Sequence, residues 1–173
     1  MKTNIVLIGM TGSGKSSVGK LLSQQLDLPF RDMDLFIEQR TNQSISELFE
    51  ISEAHFRAIE TEACVELAAK ETHAVISCGG GVVLNPKNIK VLRKTGWIVF
   101  IDRPVEHIIK DIEIGHRPLL KDGKKVLYQL YEERFDLYQT AADICVDNQS
   151  NLENVLNEIK HPLPEAITHK RRK

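Results

Sequence analysis

The feature that most constrains this chain is the run Gly9-Met10-Thr11-Gly12-Ser13-Gly14-Lys15-Ser16, which follows the apolar stretch Ile5-Val6-Leu7-Ile8 and opens a helical pattern. Glycines at this spacing let the backbone curl so that its N–H groups face inward, and the helix N-terminus behind them adds a dipole that favours an anion. GxxxxGK[ST] between a strand and a helix is a phosphate-binding signature. Gly12, Ser13 and Gly14 would cradle phosphate oxygens, with Ser17 just inside the helix. Lys15 would supply a point charge to β- and γ-phosphates, and the Ser16 hydroxyl would ligate magnesium. A plain glycine-rich turn is the bland alternative; agreement of every motif position with both flanking elements argues against it. No NKxD follows, so nothing reads guanine.

Around this loop, short Val- and Ile-rich runs alternate with helical patterns. Strands are expected over 4–9, 29–32, 74–77, 97–101 and 144–146, and helices over 15–26, 34–41, 44–50, 53–70, 88–94, 104–111, 125–140 and 152–160. Strands apolar on both sides are buried on both faces, and strand–helix alternation implies a mostly parallel sheet with helices on either side. Ser44-Ile45-Ser46-Glu47 reads as a capping box, and Asn85-Pro86 as a turn initiator. Trp97 reads as core. No repeat or interior linker divides the chain.

Composition fits one globular domain: 173 residues, 42% hydrophobic and 27% charged. A formal net charge of −1 argues against non-specific nucleic-acid binding. The C-terminal stretch 161–173 carries Lys170, Arg171, Arg172 and Lys173 and is expected to be a solvated, frayed tail. Cys64, Cys78 and Cys145 are odd in number and show no CxxC spacing, which fits a reducing cytoplasm. No run approaches a membrane span. We expect a monomer with small-molecule ligands, without nucleic acid or membrane.

Several residues could carry chemistry on the side facing the phosphates. Asp32 and Asp34 stand at the carboxyl end of the second strand, where ligands bind in open α/β sheets. One could hold a magnesium-bound water and the other accept a hydroxyl proton; Asp34 could equally cap the next helix. In Phe56-Arg57-Ala58-Ile59-Glu60, Arg57 and Glu60 share a stripe, which alone reads as a solvated ion pair. Gly79-Gly80-Gly81 after the third strand suggests close approach of the backbone to a ligand. Cys78 beside it lacks a paired histidine and reads as a buried thiol. The segment 113–124, with Gly115, His116, Arg117 and Pro118, reads as a mobile loop over something anionic.

Taken in order, the loop GMTGSGKSS, the Asp32-Met33-Asp34 triplet, Phe56–Glu60, the triple glycine, Arg117-Pro118-Leu119-Leu120 and Glu133-Arg134-Phe135-Asp136-Leu137-Tyr138 resemble the shikimate kinases from about residue 4 to 160. The resemblance implies a three-layer P-loop kinase fold with a five-stranded parallel sheet, and transfer of the ATP γ-phosphoryl to the 3-hydroxyl of shikimate. It makes Asp34 the partner of the substrate hydroxyls and the base, and Arg57 and Arg134 the grip on the carboxylate. Gly79, Gly80 and Gly81 would offer N–H groups to the substrate, Asp32 would join Ser16 at magnesium, and Arg117 would close from a lid over 113–124. Thr11 and Lys110 depart from the family: Met or Pro is usual at the first position, and an arginine stacked on adenine is frequent at the second. Lysine keeps the charge but not the plane. The expected organisation is one kinase domain over 1–160, its substrate-binding region about 33–61. A gluconate kinase shares the loop and fold but leaves Phe56–Glu60, the triple glycine and RPLL unexplained. A silent nucleotide-binding module has no need for seven retained polar site residues.

Overall fold

In a computed structural model, residues 1–111 and 123–168 are described. Five parallel strands, β1 (Asn4–Ile8), β2 (Phe30–Asp32), β3 (Val75–Ser77), β4 (Gly96–Asp102) and β5 (Ile144–Asp147), form one sheet in the order β2-β3-β1-β4-β5. Register places Ile5 beside Val75 and Trp97, and Phe100 beside Cys145. The helices are α1 (Lys15–Leu26), α2 (Met33–Thr41), α3 (Ile45–Ile51), α4 (Glu53–Lys70), α5 (Pro86–Thr95), α6 (Val105–Asp111), α7 (Lys124–Ala141), α8 (Leu152–Lys160) and α9 (Glu165–Thr168). The expected three-layer α/β architecture is present.

Side chains alternate across a strand, so each buried strand feeds two cores. Val6, Ile8, Ile76, Ile98 and Phe100 pack on one side with Phe56, Cys64 and Leu67 of α4 and Tyr138 of α7. Ile5, Leu7, Val75, Val99 and Ile101 pack on the other with Val18 and Leu22 of α1 and Val155 and Ile159 of α8. Trp97 is half-buried against this second core.

Most boundaries fall within two residues of expectation, and the Ser44–Glu47 capping box forms, its serine accepting from Glu47 N and its glutamate accepting from Ser44 N. Three points differ. Asp32, not Asp34, caps α2, its Oδ1 accepting from Leu35 N at 3.2 Å. A 3-10 turn, Val82–Leu84, precedes α5, which starts two residues early because Asn85 caps it and Pro86 occupies its first turn. Finally, 161–168 is not a frayed tail: Leu163 and Ile167, one helical turn apart, are buried in the second core. Four terminal charges suggested solvation, but the two aliphatic residues ahead of them cover α1 and α8 with apolar surface. Residues 169–173, and all of 113–124 except Gly123 and Lys124, lie outside the described residues.

Candidate active site

β1 delivers the chain into 9–14 at the carboxyl edge of the sheet, and Lys15 begins α1. Gly14 caps that helix with φ 97° and ψ 11°, a left-handed conformation that favours glycine. A Cβ there would also collide with Asn148, whose Nδ2 donates to Ser13 O at 2.8 Å. Lys15 is buried, not a solvated ammonium: its Nζ donates to Gly9 O at 2.8 Å and Met10 O at 2.7 Å, folding the loop around its own lysine. Ser13 is fully buried and its Oγ has no hydrogen-bond partner among the described residues. Gly12, Gly14, Lys15, Ser16 and Ser17 line one cavity, and two glycines at positive φ beside a lysine fit a loop that receives phosphate oxygens.

The magnesium side was legible in outline. Ser16 Oγ donates to Asp32 Oδ2 at 2.9 Å, so the two expected ligands meet, and Ser77 Oγ lies 3.4 Å from Ser16 Oγ. Hard oxygen donors suit magnesium. Among the described residues no group of three His, Cys, Asp or Glu could hold a metal ion.

A cavity of about 970 Å³ is lined both by Gly12, Gly14, Lys15, Ser16, Ser17 and Asp32 and by Asp34, Glu38, Gly79 and Gly80. Arg57, Gly81, Arg134 and Lys110 are not part of that lining; Lys110 sits in the last turn of α6. The two arginines converge instead on the triple-glycine turn. A Cβ on Gly80 would stand 3.1 Å from Thr11 N and 3.7 Å from Arg134 Nη1, and one on Gly81 would strike the Arg57 guanidinium. At Gly79 the same atom would lie 3.1 Å from both Asp34 Oδ1 and Glu60 Oε1. Close approach from four directions is why glycine occupies all three positions. Thr11, the departure noted in the loop, is thus the residue that joins the two ends of the site.

Arg57 is not a solvated helix cation. Its Nη1 donates to Glu60 Oε2 at 2.9 Å, its Nη2 pairs with Glu53 at 3.4 Å, and its carbon centre lies 5.2 Å from the Phe56 ring and 5.6 Å from that of Phe49. Glu60 is 1% exposed, and burial raises its pKa against the pull of Arg57. Arg134 is 4% exposed, next to Tyr138, whose hydroxyl donates to Gly80 O and whose pKa burial pushes up to about 12. Glu60 Oε1, Arg57 Nε and Arg134 Nε have no hydrogen-bond partner among the described residues. Three orphaned polar atoms round one turn describe a place prepared for a polar ligand. Cys78 is buried and its pKa raised by burial, so the thiolate is disfavoured.

Sequence reading did not single out Ser77, Arg103, Tyr138 or Asn148 as working parts. Ser77, Arg103 and Asn148 each end or follow a strand at the carboxyl edge, and that position was the available signal. Glu60 was read only as a surface partner, since helical spacing does not disclose burial.

Known proteins converge on the same reading. The family model described as shikimate kinase matches residues 11–164. A shikimate kinase of Clostridium beijerinckii is 49% identical over 167 residues, covering 96% of this chain and 98% of that one. The solved shikimate kinase from Acinetobacter baumannii, in complex with shikimate, superposes with a TM-score of 0.86 at 29% identity over 95% of this chain and 97% of that one. The Aquifex aeolicus enzyme gives 0.78 at 40% identity, over 90% and 93%. With the phosphate loop, the Ser16–Asp32 pair and the arginine-flanked triple glycine in place, the chain belongs to the shikimate kinase family.

Proposed function

We propose that this chain transfers the γ-phosphoryl of ATP to the 3-hydroxyl of shikimate, giving shikimate 3-phosphate and ADP on the route to chorismate and the aromatic amino acids. As a shikimate kinase it is an ATP-dependent phosphotransferase acting on an alcohol, with magnesium as its metal. The observation that carries the assignment of parts is the shared border at the triple glycine, which Thr11 of the phosphate loop, Asp34 and both arginines all approach.

Arg57 and Arg134 hold the substrate carboxylate, for which the planar guanidinium fork is suited, while the N–H groups of 79–81 face the ring. Asp34 orients the 3-hydroxyl and takes its proton as the oxygen forms its bond to the γ-phosphorus; the bond from that phosphorus to the β,γ-bridging oxygen breaks, and ADP leaves. Backbone N–H groups of Gly12 and Gly14, with Lys15 and Ser17, keep the phosphates in line, and Ser13 holds the loop's turn through its N–H to Met10 O. Ser16 and Asp32 would hold magnesium, which when bound neutralises charge on the β- and γ-oxygens. By resemblance, Arg117 approaches the phosphates from 113–124 and Lys110 serves the adenine end. Residues 1–160 act as one catalytic domain. Three free cysteines suit a reducing compartment, so we place the enzyme in the cytoplasm, as a monomer.

Coupled ATP turnover with shikimate, quinate and gluconate in parallel tests this reading: turnover should require shikimate. Equal rates with gluconate, or none with any acceptor, would overturn it.

A further inference from the structure

Arg103 follows the last residue of β4 and lines the same cavity as Lys15 and Ser16, yet the phosphate-loop motif does not contain it. Its guanidinium spans two elements. Nη1 donates to Gly12 O at 3.2 Å, and Nη2 pairs with the carboxylate of Asp111, the last residue of α6. The bond to Gly12 is partly buried, with the Arg103 side chain 21% exposed, whereas the pair with Asp111 faces solvent.

A peptide unit is planar and trans, so fixing a carbonyl also fixes the N–H on its far side. Arg103 holds the Gly12–Ser13 unit by its carbonyl, while the N–H of the same unit donates to Met10 O at 3.1 Å. The next unit, Ser13–Gly14, is held by Asn148 through Ser13 O. Both units flank glycines at positive φ, 78° at Gly12 and 97° at Gly14, where the chain has the most conformational freedom to lose on binding.

We infer that Arg103, set by Asp111, is a positioning residue that, together with the Ser13 N–H to Met10 O bond, locks the Gly12–Ser13 turn and so holds the rest of the phosphate loop in its binding shape before any phosphate arrives. The inference rests on the nucleotide reading of that loop. It predicts that Arg103 strengthens binding of anything carrying the polyphosphate, whatever base is attached.

The test is calorimetric titration of the full chain and its variants with ADP and with inorganic tripolyphosphate, each with magnesium. Arg103→Met should weaken both ligands alike, by roughly tenfold, with Arg103→Lys recovering part of the loss. Hydrogen exchange of the amides over 12–16 should speed up in the unliganded Arg103→Met protein. Asp111→Asn should also weaken both ligands, by less, and add nothing in the Arg103→Met background. If Arg103 instead acts as a direct cation on the phosphates, releasing it with Asp111→Asn should tighten binding, and that sign would sink the proposal. Loss for ADP alone would mean a contact with the nucleoside and would sink it too. Should wild type bind ADP while Arg103→Met binds equally well, this inference fails and the nucleotide reading stands; should wild type bind neither ligand, the nucleotide reading itself fails.

Discussion

The two halves of the candidate site are built on opposite plans. At the phosphate end, residues 9–16 are contiguous and work mainly through backbone geometry and one lysine whose own partners, Gly9 and Met10, lie in the same loop. At the proposed substrate side, Asp34 comes from α2, Arg57 and Glu60 from α4, the triple glycine from the turn after β3, and Arg134 and Tyr138 from α7. A contiguous loop keeps its working groups in one stretch of sequence, and needs the rest of the fold only for braces such as Arg103 and Asn148. A site assembled from four segments depends on packing, and the buried Glu60 carboxyl beside Arg57 makes it depend on pH as well.

The sharpest way to break this comparison is at Lys15. Lys15→Met should cut turnover by about 10³-fold, the scale for losing one pre-aimed electrostatic contact in the transition state. Because Lys15 also ties two carbonyls of its loop, the melting temperature should fall, by no more than about 5 °C. Wild-type turnover, or unfolding that accounts for the loss, would mean the lysine is a loop staple and nothing more.

Asp34→Asn comes next. Single-turnover transfer should slow by about 10²-fold, while ADP affinity stays within about twofold, since an amide keeps the shape but takes no proton. Unaltered single-turnover rates would leave Asp34 an orienting role only.

The arginines separate the two ends directly. Arg57→Ala or Arg134→Ala should weaken shikimate binding by roughly ten- to a hundredfold and leave ATP binding nearly unchanged, with lysine rescuing part of the loss. Titration with each ligand reads this out, and equal losses for both would place the arginines in folding. Arg57→Ala should also destabilise the fold, because it strands the buried Glu60 carboxylate.

The smallest effect is the pH dependence of stability. Burial raises the Glu60 pKa, so the folded protein holds that proton more tightly than the unfolded chain does. The Glu60 contribution is therefore full below the unfolded value of about 4.3 and is lost as pH rises through the higher folded value. Urea unfolding from pH 4 to 7 should show this falling component in wild type, and Glu60→Gln should remove it. Identical profiles for the two proteins would show that Arg57 fully offsets the burial of Glu60.

Much of this was legible in the sequence. The three inner strands β1, β3 and β4 were readable because burial on both faces leaves an apolar run, the half-exposed edge strands β2 and β5 from their place in the strand–helix alternation, and the phosphate loop because its chemistry needs consecutive residues. Ser16 and Asp32 could be paired from position alone, as both stand at the carboxyl edge of the sheet. The 3-10 turn Val82–Leu84 was missed because three residues carry no period, and α9 because its charged flank outweighed Leu163 and Ile167.

By itself, then, the sequence determined the strand–helix alternation, the phosphate loop and the residue types that could grip an anionic acceptor, all of which depend on local periodicity or on adjacency along the chain. Tertiary structure alone decided that the Arg57 guanidinium lies half-buried against the Phe49 ring of α3 and the triple-glycine turn, that Glu60 lies almost without exposure beside Gly79, and that Arg134 reaches Gly80 from α7. It also decided that Arg103 reaches back across β4 to Gly12. Burial and long-range convergence depend on which helix face packs against which turn, and no period within one segment encodes its neighbour's position.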